Sequence, residues 1–478
     1  MSRRGRPAWL RGSEIFDLLR LSGPIAISRM SMMLMALTDA IVLGQVAEGD
    51  LPFILNSWLP MGICLGMGMG LLLGVQVLTS ELMGQGKEGE SGRIVRRGIT
   101  WAIGLGSFLM LVVYASAQPL FDWIFTDLSP NSEISGTFTP AQIAEETAKV
   151  TRILSFGMVG FMLSVVFSFY LEALRKPLVV TLLSYFAVGV NALIDFAFVL
   201  GWWGMPQLGA KGVAWATSGS RWFLTAVLLI YIVRYTPAFA SSSKAPVGEA
   251  LRQLKVGIGT AISNVAEWGG FNTTYIIAAF ISLAVNSIYG YTVQVMGVCF
   301  MIFLGIGTAT SVRVAENFGR GDAAGVRDAS RLGIAATFVS GLVMGLFIWI
   351  FQSVIPLGLV SADAEIDGVL LAPAIGALLI YAALGTTFDG LQAVASMALR
   401  AQNVVWVPTM IHIGSFFVVM LPAGYWLGIS LERGAQGMME AAVGTLGLAA
   451  ALQWMLLEYK MARSDEGTRH KVLSSEKA

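Results

Sequence analysis

Apolar residues run along this chain in long unbroken stretches. Pro52–Ser80, Gly98–Phe121, Ile153–Leu171 and Gly368–Phe388 carry no charged residue. Each is long enough for one membrane-spanning helix, which needs about 20 mostly apolar residues. Trp268–Ser311 is uncharged too but too long for one span, and Asn286-Ser287 supplies a turn inside it. The apolar runs are continuous, so the in–out alternation of a membrane β-barrel is absent. The pattern predicts twelve helices, at roughly 14–46, 53–81, 95–123, 149–173, 177–202, 209–236, 251–284, 287–316, 326–356, 370–400, 405–430 and 435–462.

Polar positions between the runs set an orientation, because cytoplasmic loops carry the excess of Lys and Arg. One side holds Arg3, Arg4, Arg6 and Arg11, then Lys87, Arg93, Arg96 and Arg97, then Arg175 and Lys176. It continues with Arg234, Lys244, Arg252 and Lys255, then Arg313, Arg320, Arg327 and Arg331, then Arg400 and the tail from Lys460 to Lys477. The other side is acidic: Glu48, Asp50, Asp122, Asp127, Glu133, Glu145, Glu146, Asp363, Glu365 and Asp367. Only Lys149, Arg152, Lys211 and Arg433 fall there. Both termini are expected in the cytoplasm, which requires an even number of spans. The basic N-terminus lacks a short apolar core with a small-residue cleavage site, so helix 1 reads as an uncleaved span.

Composition agrees. Of 478 residues 55% are hydrophobic and 13% charged, against roughly a quarter charged in a soluble domain. Two cysteines and two histidines exclude a disulfide framework and make a His- or Cys-based metal site a poor reading. A net charge of +1 implies no pull toward nucleic acid.

The region Gly62–Ile99 can be laid over Gly297–Ile334 at a shift of 235, matching Gly62/Gly297, Cys64/Cys299, Gly70/Gly305, Glu81/Glu316, Gly84/Gly319, Gly86/Gly321 and Arg96/Arg331. The same shift pairs Ala26-Ile27-Ser28 with Ala261-Ile262-Ser263. Two six-helix lobes follow, an N-lobe over 1–243 and a C-lobe over 244–478, joined by the polar stretch Pro237–Glu249. Duplicated halves with a site near their junction are a secondary-transporter plan.

An ionisable residue inside a span is costly and points to function. Four acids lie well inside: Asp39 in helix 1, Asp195 in helix 5, Glu267 in helix 7 and Asp389 in helix 10. Arg29 and Arg221 join them as charge partners. Asn191 lies one turn before Asp195, on the same helical face. An amide oxygen beside a carboxylate makes half a site for a hard cation. Glu267 and Asp389 form a second cluster. Such carboxylates can exchange a proton, Na⁺ or an organic cation, which is the chemistry of an antiporter. The structural alternative is that Asp39 or Asp195 merely neutralises Arg29 or Arg221, but two arginines cannot neutralise four acids. Met30, Met32, Met33 and Met35 read as lipid-facing or packing residues before drug-pocket ones, and His412 as a packing or hydrogen-bonding group before a proton carrier.

The second half resembles a known family. Ala309-Thr310-Ser311-Val312-Arg313-Val314, followed by Asn317-Phe318-Gly319-Arg320-Gly321-Asp322, is similar to the helix 8 motif of multidrug and toxic compound extrusion (MATE) transporters. Phe388-Asp389-Gly390-Leu391-Gln392, then Ala398-Leu399-Arg400, Pro408 and Leu421-Pro422-Ala423-Gly424-Tyr425, resembles their helix 10–11 signature. Asp39 with Gly44, Arg175-Lys176-Pro177 and Gly209-Ala210-Lys211-Gly212 match further positions. The resemblance implies an all-α membrane protein of twelve helices in two lobes, a NorM-like exporter of drugs and organic cations coupled to Na⁺ or H⁺. It implies an N-lobe cation site at Asp39, Asn191, Asp195 and Thr217, and a C-lobe site at Glu267 and Asp389. Either set would hold Na⁺ as cargo. Thr217 enters through the resemblance alone.

There are departures. Met32 stands where many relatives place a Gln, and Arg29 and Arg221 are unusual at their depths. Either arginine would take the place of a cation or hold Asp39 or Asp195 ionised.

The expected partners are a small amphipathic or cationic substrate and the bilayer of the cytoplasmic (inner) membrane, with no cofactor beyond the coupling ion, no nucleic acid and a monomeric state. The rival transport reading is a flippase or exporter of a lipid-linked metabolite. An intramembrane enzyme is disfavoured. No Asp-Asp-x-x-Asp occurs for a prenyltransferase, and no Gly-x-Ser-x-Gly accompanies His412 for a serine protease.

Overall fold

The computed structural model describes residues 11–46, 48–128, 139–240 and 243–475. Arg3, Arg4, Arg6, Glu133, Ser241, Ser242 and Lys477, used above in reading orientation and linker, lie outside the described residues.

The chain is helical nearly throughout: α1 Gly12–Val46, α2 Leu51–Gly84, α3 Ser91–Asp122, α4 Pro140–Ser155, α5 Gly157–Ala173, α6 Pro177–Phe198 and α7 Ala210–Tyr235. There follow α8 Glu249–Ile281, α9 Leu283–Arg320, α10 Ala323–Ile350, a two-strand hairpin of β1 Glu365–Ile366 and β2 Val369–Leu370, and α11 Leu371–Ala401. The next span is built from α12 Trp406–Ile413, wider π turns over Gly414–Met420, α13 Leu421–Tyr425 and further π turns over Trp426–Ser430. The last helix is α14 Gly434–Ser475.

Among the described residues ten helices are long and apolar enough to cross a membrane, and the bent pair α4–α5 makes eleven. The remaining long helix is α8, whose 33 residues include Asn264, Glu267, Asn272, Thr273 and Thr274. These polar groups dilute its apolar character; they also make it the helix that carries Glu267.

Several boundaries differ from the hydropathy reading: α14 runs on to Ser475 rather than ending near 462, α10 ends at Ile350 rather than 356, and two others have a local cause. The break in the long uncharged stretch falls at Ser282, not at Asn286-Ser287. The Ser282 hydroxyl caps α9 by accepting from the Val285 N–H at 3.1 Å, while Asn286 lies within the helix and donates its amide to the Tyr275 carbonyl at 2.8 Å. A serine cap is favoured because it satisfies a helix N–H that has no partner in its own helix. The fourth span also starts earlier, at Pro140, behind a Thr139–Gln142 capping box, and bends by 40° at Phe156. The carbonyls of Ile153 and Phe156 at that bend are taken up from α7, by the Ser218 hydroxyl at 3.0 Å and the Trp222 indole N–H at 3.0 Å.

The described structure forms two compact units. One contains the described residues within 30–79 and 87–257; the other contains those within 11–29, 80–86 and 258–475. In the first, all 17 residues of α5 are buried. Small residues permit this: a Cβ on Gly106 would sit 2.9 Å from Val159 Cα, and one on Gly160 3.1 Å from the Trp222 backbone nitrogen. In the second, Tyr289, Phe416, Met420, Leu379 and Met438 build the main core. There the Tyr289 hydroxyl meets the Thr274 hydroxyl at 2.9 Å, so the buried phenol is satisfied.

Candidate functional site

In the first unit α1, α6 and α7 bring together the four residues expected to form an N-lobe site. Asp39 is 3% exposed, Asn191 and Asp195 0%, and Thr217 1%. Burial of this kind, inside predominantly apolar helices, has to be compensated by a partner or a cation. Asn191 and Asp195 sit one turn apart on α6, so the same helical stripe presents both. The Thr217 hydroxyl donates to Asp39 Oδ2 at 2.8 Å. Asp195 and Asn191 are electrostatic neighbours of the Asp39 carboxylate.

Within that group, four buried oxygens accept no hydrogen bond: Asp39 Oδ1, Asn191 Oδ1, and Oδ1 and Oδ2 of Asp195. Such oxygens suit a hard cation or a proton, since either would satisfy lone pairs that the protein leaves open. Arg221, one turn from Thr217 on α7, is buried beside them and acts electrostatically on Asp39. Its guanidinium carbon lies 5.5 Å from the ring centroids of both Trp58 and Phe161, and its Nη1 has no hydrogen-bond partner. Arg221 thus lies between aromatic faces and acts on Asp39 through its charge.

The second unit brings Glu267 of α8 and Asp389 of α11 together. Gln392, one turn beyond Asp389, donates one amide nitrogen to both: 3.1 Å to Glu267 Oε1 and 3.2 Å to Asp389 Oδ1. The two carboxylates therefore share a single neutral donor. Gln392 stands in the quoted helix 10 motif, yet its role as the link was not legible, because a glutamine in an apolar helix gives no charge signal.

Further titratable residues of the second unit lie near this pair or near Arg400. Arg400, placed by sequence among the cytoplasmic loop cations, is 3% exposed within α11 and acts electrostatically on Glu267. The charges of Asp389 and Arg400 both act on Glu267. Arg29 is buried in α1 of the same unit. His412 of α12 is 2% exposed, with no hydrogen bond at either ring nitrogen. Cys299 of α9 lies within the electrostatic reach of Asp389. Arg313, also counted as a loop cation, is buried in α9 and pairs with Glu14 and, at 3.2 Å, with Asp17. Met30, Met32 and Met33 are 38–40% exposed. Among the described residues no group of three or more His, Cys, Asp or Glu is placed to hold a metal ion.

Two bundles of spans, each with a buried pair of acids, define a polytopic membrane carrier. The chain matches the MatE family twice, over residues 24–197 and 260–426, so the repeat read at a shift of 235 is the family's own two-lobe repeat. It is 32% identical over 456 residues to the probable multidrug resistance protein NorM of Caulobacter vibrioides, covering 94% of this chain and 92% of that one. It is 29% identical over 439 residues to the probable multidrug resistance protein NorM of Deinococcus radiodurans, covering 91% and 93%. Its fold is similar to that of the eukaryotic MATE transporter AtDTX14, with a TM-score of 0.82, 16% identity, and 96% and 99% of the two chains covered. This chain belongs to the MatE family of transporters.

Proposed function

We propose that the chain exports drugs and other organic cations across the cytoplasmic membrane by antiport, with Na⁺ or H⁺ moving inward. The observation that carries this reading is the cluster of unpartnered buried oxygens at Asp39, Asn191 and Asp195 beside Thr217. A permanent structural charge would be satisfied by fixed partners; these oxygens instead remain open to an ion that comes and goes. The names of the NorM relatives support drug export as the task. Both termini lie in the cytoplasm in this reading, with an N-lobe over 1–243 and a C-lobe over 244–478. The protein works as a monomer, needs no cofactor and has no catalytic role.

The chemistry is exchange at carboxylates. An ion entering from outside neutralises an acid pair, and an organic cation arriving from inside competes for the same negative charge. Occupation by one then favours release of the other, because close carboxylates cannot all stay ionised without a cation. The test is ethidium transport in proteoliposomes under an imposed Na⁺ gradient and, separately, an imposed H⁺ gradient. Acceleration by at least one gradient is expected; transport indifferent to both refutes the reading. Asp389→Asn and Glu267→Gln should each cut ethidium export at least tenfold at near-normal expression, and wild-type export in both would remove the C-lobe pair from the coupling site.

A further inference from the structure

The C-lobe acids share their surroundings with a cation that belongs to the protein. On α11 the residues Asp389, Gln392, Ser396 and Arg400 follow one another at spacings of three and four, so they form one stripe on one helical face. Side chains on a helix lean toward its N-terminus, which turns Arg400 back along this stripe toward the acids. All four are buried. Nε and Nη2 of Arg400 make no hydrogen bond, nor do Ser396 Oγ and Gln392 Oε1. An arginine serving only to tie down a helix end would spend its N–H groups on carbonyl oxygens.

The chain also contains a comparison. Ala173-Leu174-Arg175 repeats the sequence Ala398-Leu399-Arg400. In the first copy α5 ends at Ala173, and Arg175 takes a left-handed turn at φ 57° and is exposed. In the second, α11 runs on to Ala401 and keeps Arg400 inside. Burying this guanidinium is therefore not forced by the Ala-Leu-Arg sequence. The first unit has its own buried arginine, Arg221, beside Asp39 and Asp195. Each of the two buried clusters thus combines two acids, one carboxamide and one arginine with an N–H that makes no hydrogen bond.

We propose that Arg400 is a tethered counter-cation for the Glu267–Asp389 pair, which competes with the coupling ion and takes over its charge when that ion departs. Resting on the antiport reading above, this assigns the residue that sets how readily the ion leaves. When the ion occupies the acids, Arg400 is held off toward Ser396. After release, the guanidinium offsets the negative charge that would otherwise hold the next ion too tightly. Of the other ionisable groups nearby, Cys299 from α9 lies in electrostatic reach of Asp389, and His412 from α12 in that of Arg400.

The test uses the full chain in proteoliposomes, with ethidium as substrate and whichever of Na⁺ or H⁺ drives the wild type. Arg400→Gln removes the competitor. It should lower the coupling ion's half-saturating concentration by roughly tenfold, the order expected when one unit charge is taken from a partly desolvated site. It should also lower the maximal ethidium rate by a similar factor, because release becomes slow. Arg400→Lys keeps the charge and should restore both values to within about threefold. In a Glu267→Gln background Arg400→Gln should no longer shift half-saturation. An Arg400→Gln protein with wild-type half-saturation and rate overturns the proposal, as does a lowered rate with half-saturation unchanged. If Arg400→Gln does not purify as a folded species, Arg400→Lys carries the test, and a Lys variant that folds but has lost ion-driven transport overturns it. A wild type driven by neither ion would fail the antiport reading instead, a result distinct from any of these.

Discussion

At the scale of single residues, the site is a matter of who satisfies whom. Gln392 is the neutral donor that both Glu267 and Asp389 lean on. A hydrogen bond to a charged group contributes about 1.5–3 kcal/mol. Gln392→Leu, close in size and without a donor, should therefore reduce ethidium export by at least about tenfold. Gln392→Glu should do worse, since it adds a third carboxylate to a pair that already shares one donor. Export rates at matched protein levels check both, and a Gln392→Leu protein with the wild-type rate would make the bridge incidental. The acids Asp39, Asp195, Glu267 and Asp389 were legible because a charge stands out in an apolar run. Gln392 and Arg400 were not, for opposite reasons. The first carries no charge, and the second sits close enough to a helix end to pass for a loop cation. Burial, not position along the chain, separates Arg400 from its exposed counterpart Arg175.

At the scale of elements, glycine positions report where helices meet backbone to backbone. A Cβ on Gly84 at the end of α2 would lie 2.0 Å from the Glu316 carbonyl oxygen of α9. A Cβ on Gly319 at the end of α9 would lie 2.2 Å from the Glu81 carbonyl oxygen of α2. The contact is reciprocal between residues related by the internal repeat, as expected for two copies of one packing surface. Close approach of this kind is what small residues permit in membrane helices. Gly84→Ala and Gly319→Ala should each cost about 1–3 kcal/mol through overpacking. The double variant should cost less than their sum, because the first substitution already separates the backbones. Gly104→Ala on α3, where a Cβ meets nothing within 4 Å, should leave the midpoint of thermal aggregation in detergent unchanged or raised. Equal midpoints for all four proteins would show that the α2–α9 approach is soft. Helix number and most helix edges could be read from hydropathy alone. The cap at Ser282 could not, because a serine in an uncharged run looks the same whether it caps a helix or packs inside one. The bend at Phe156 was hidden as well, since the groups that receive its carbonyls, Ser218 and Trp222, are more than sixty residues away.

At the scale of the whole molecule, each unit has its own buried acid pair, and the charges of the loops differ from one side to the other. The basic loops carry Lys87, Arg93, Arg96, Arg97, Lys244 and Arg252, whereas the hairpin between α10 and α11 carries Asp363, Glu365 and Asp367 and no Lys or Arg. Basic loops are retained in the cytoplasm and acidic ones tolerate translocation. Part of the basic set also has a structural task. Arg93 donates from Nε and Nη2 to Glu249, at 2.8–3.0 Å, Arg97 reaches Glu249 at 3.1 Å, and Arg96 donates to the carbonyls of Ala238 and Ala240 at 3.0 and 2.9 Å. The stretch leading into α8 is thereby fastened to the start of α3, so loops at the two ends of those helices share one side of the membrane. A membrane-impermeant thiol reagent applied to intact cells can read the sidedness. The native Cys64 and Cys299 are half-buried and would first be replaced by Ala and Ser. Ser361→Cys, in the acidic hairpin region, should then label from outside within minutes. Lys244→Cys, in the basic linker, should label only after the membrane is opened. The reverse pattern would invert the protein and place the proposed ion entry on the cytoplasmic face. Labelling of both positions from outside would require an even number of spans between them and break the six-plus-six count on which the duplicated plan rests.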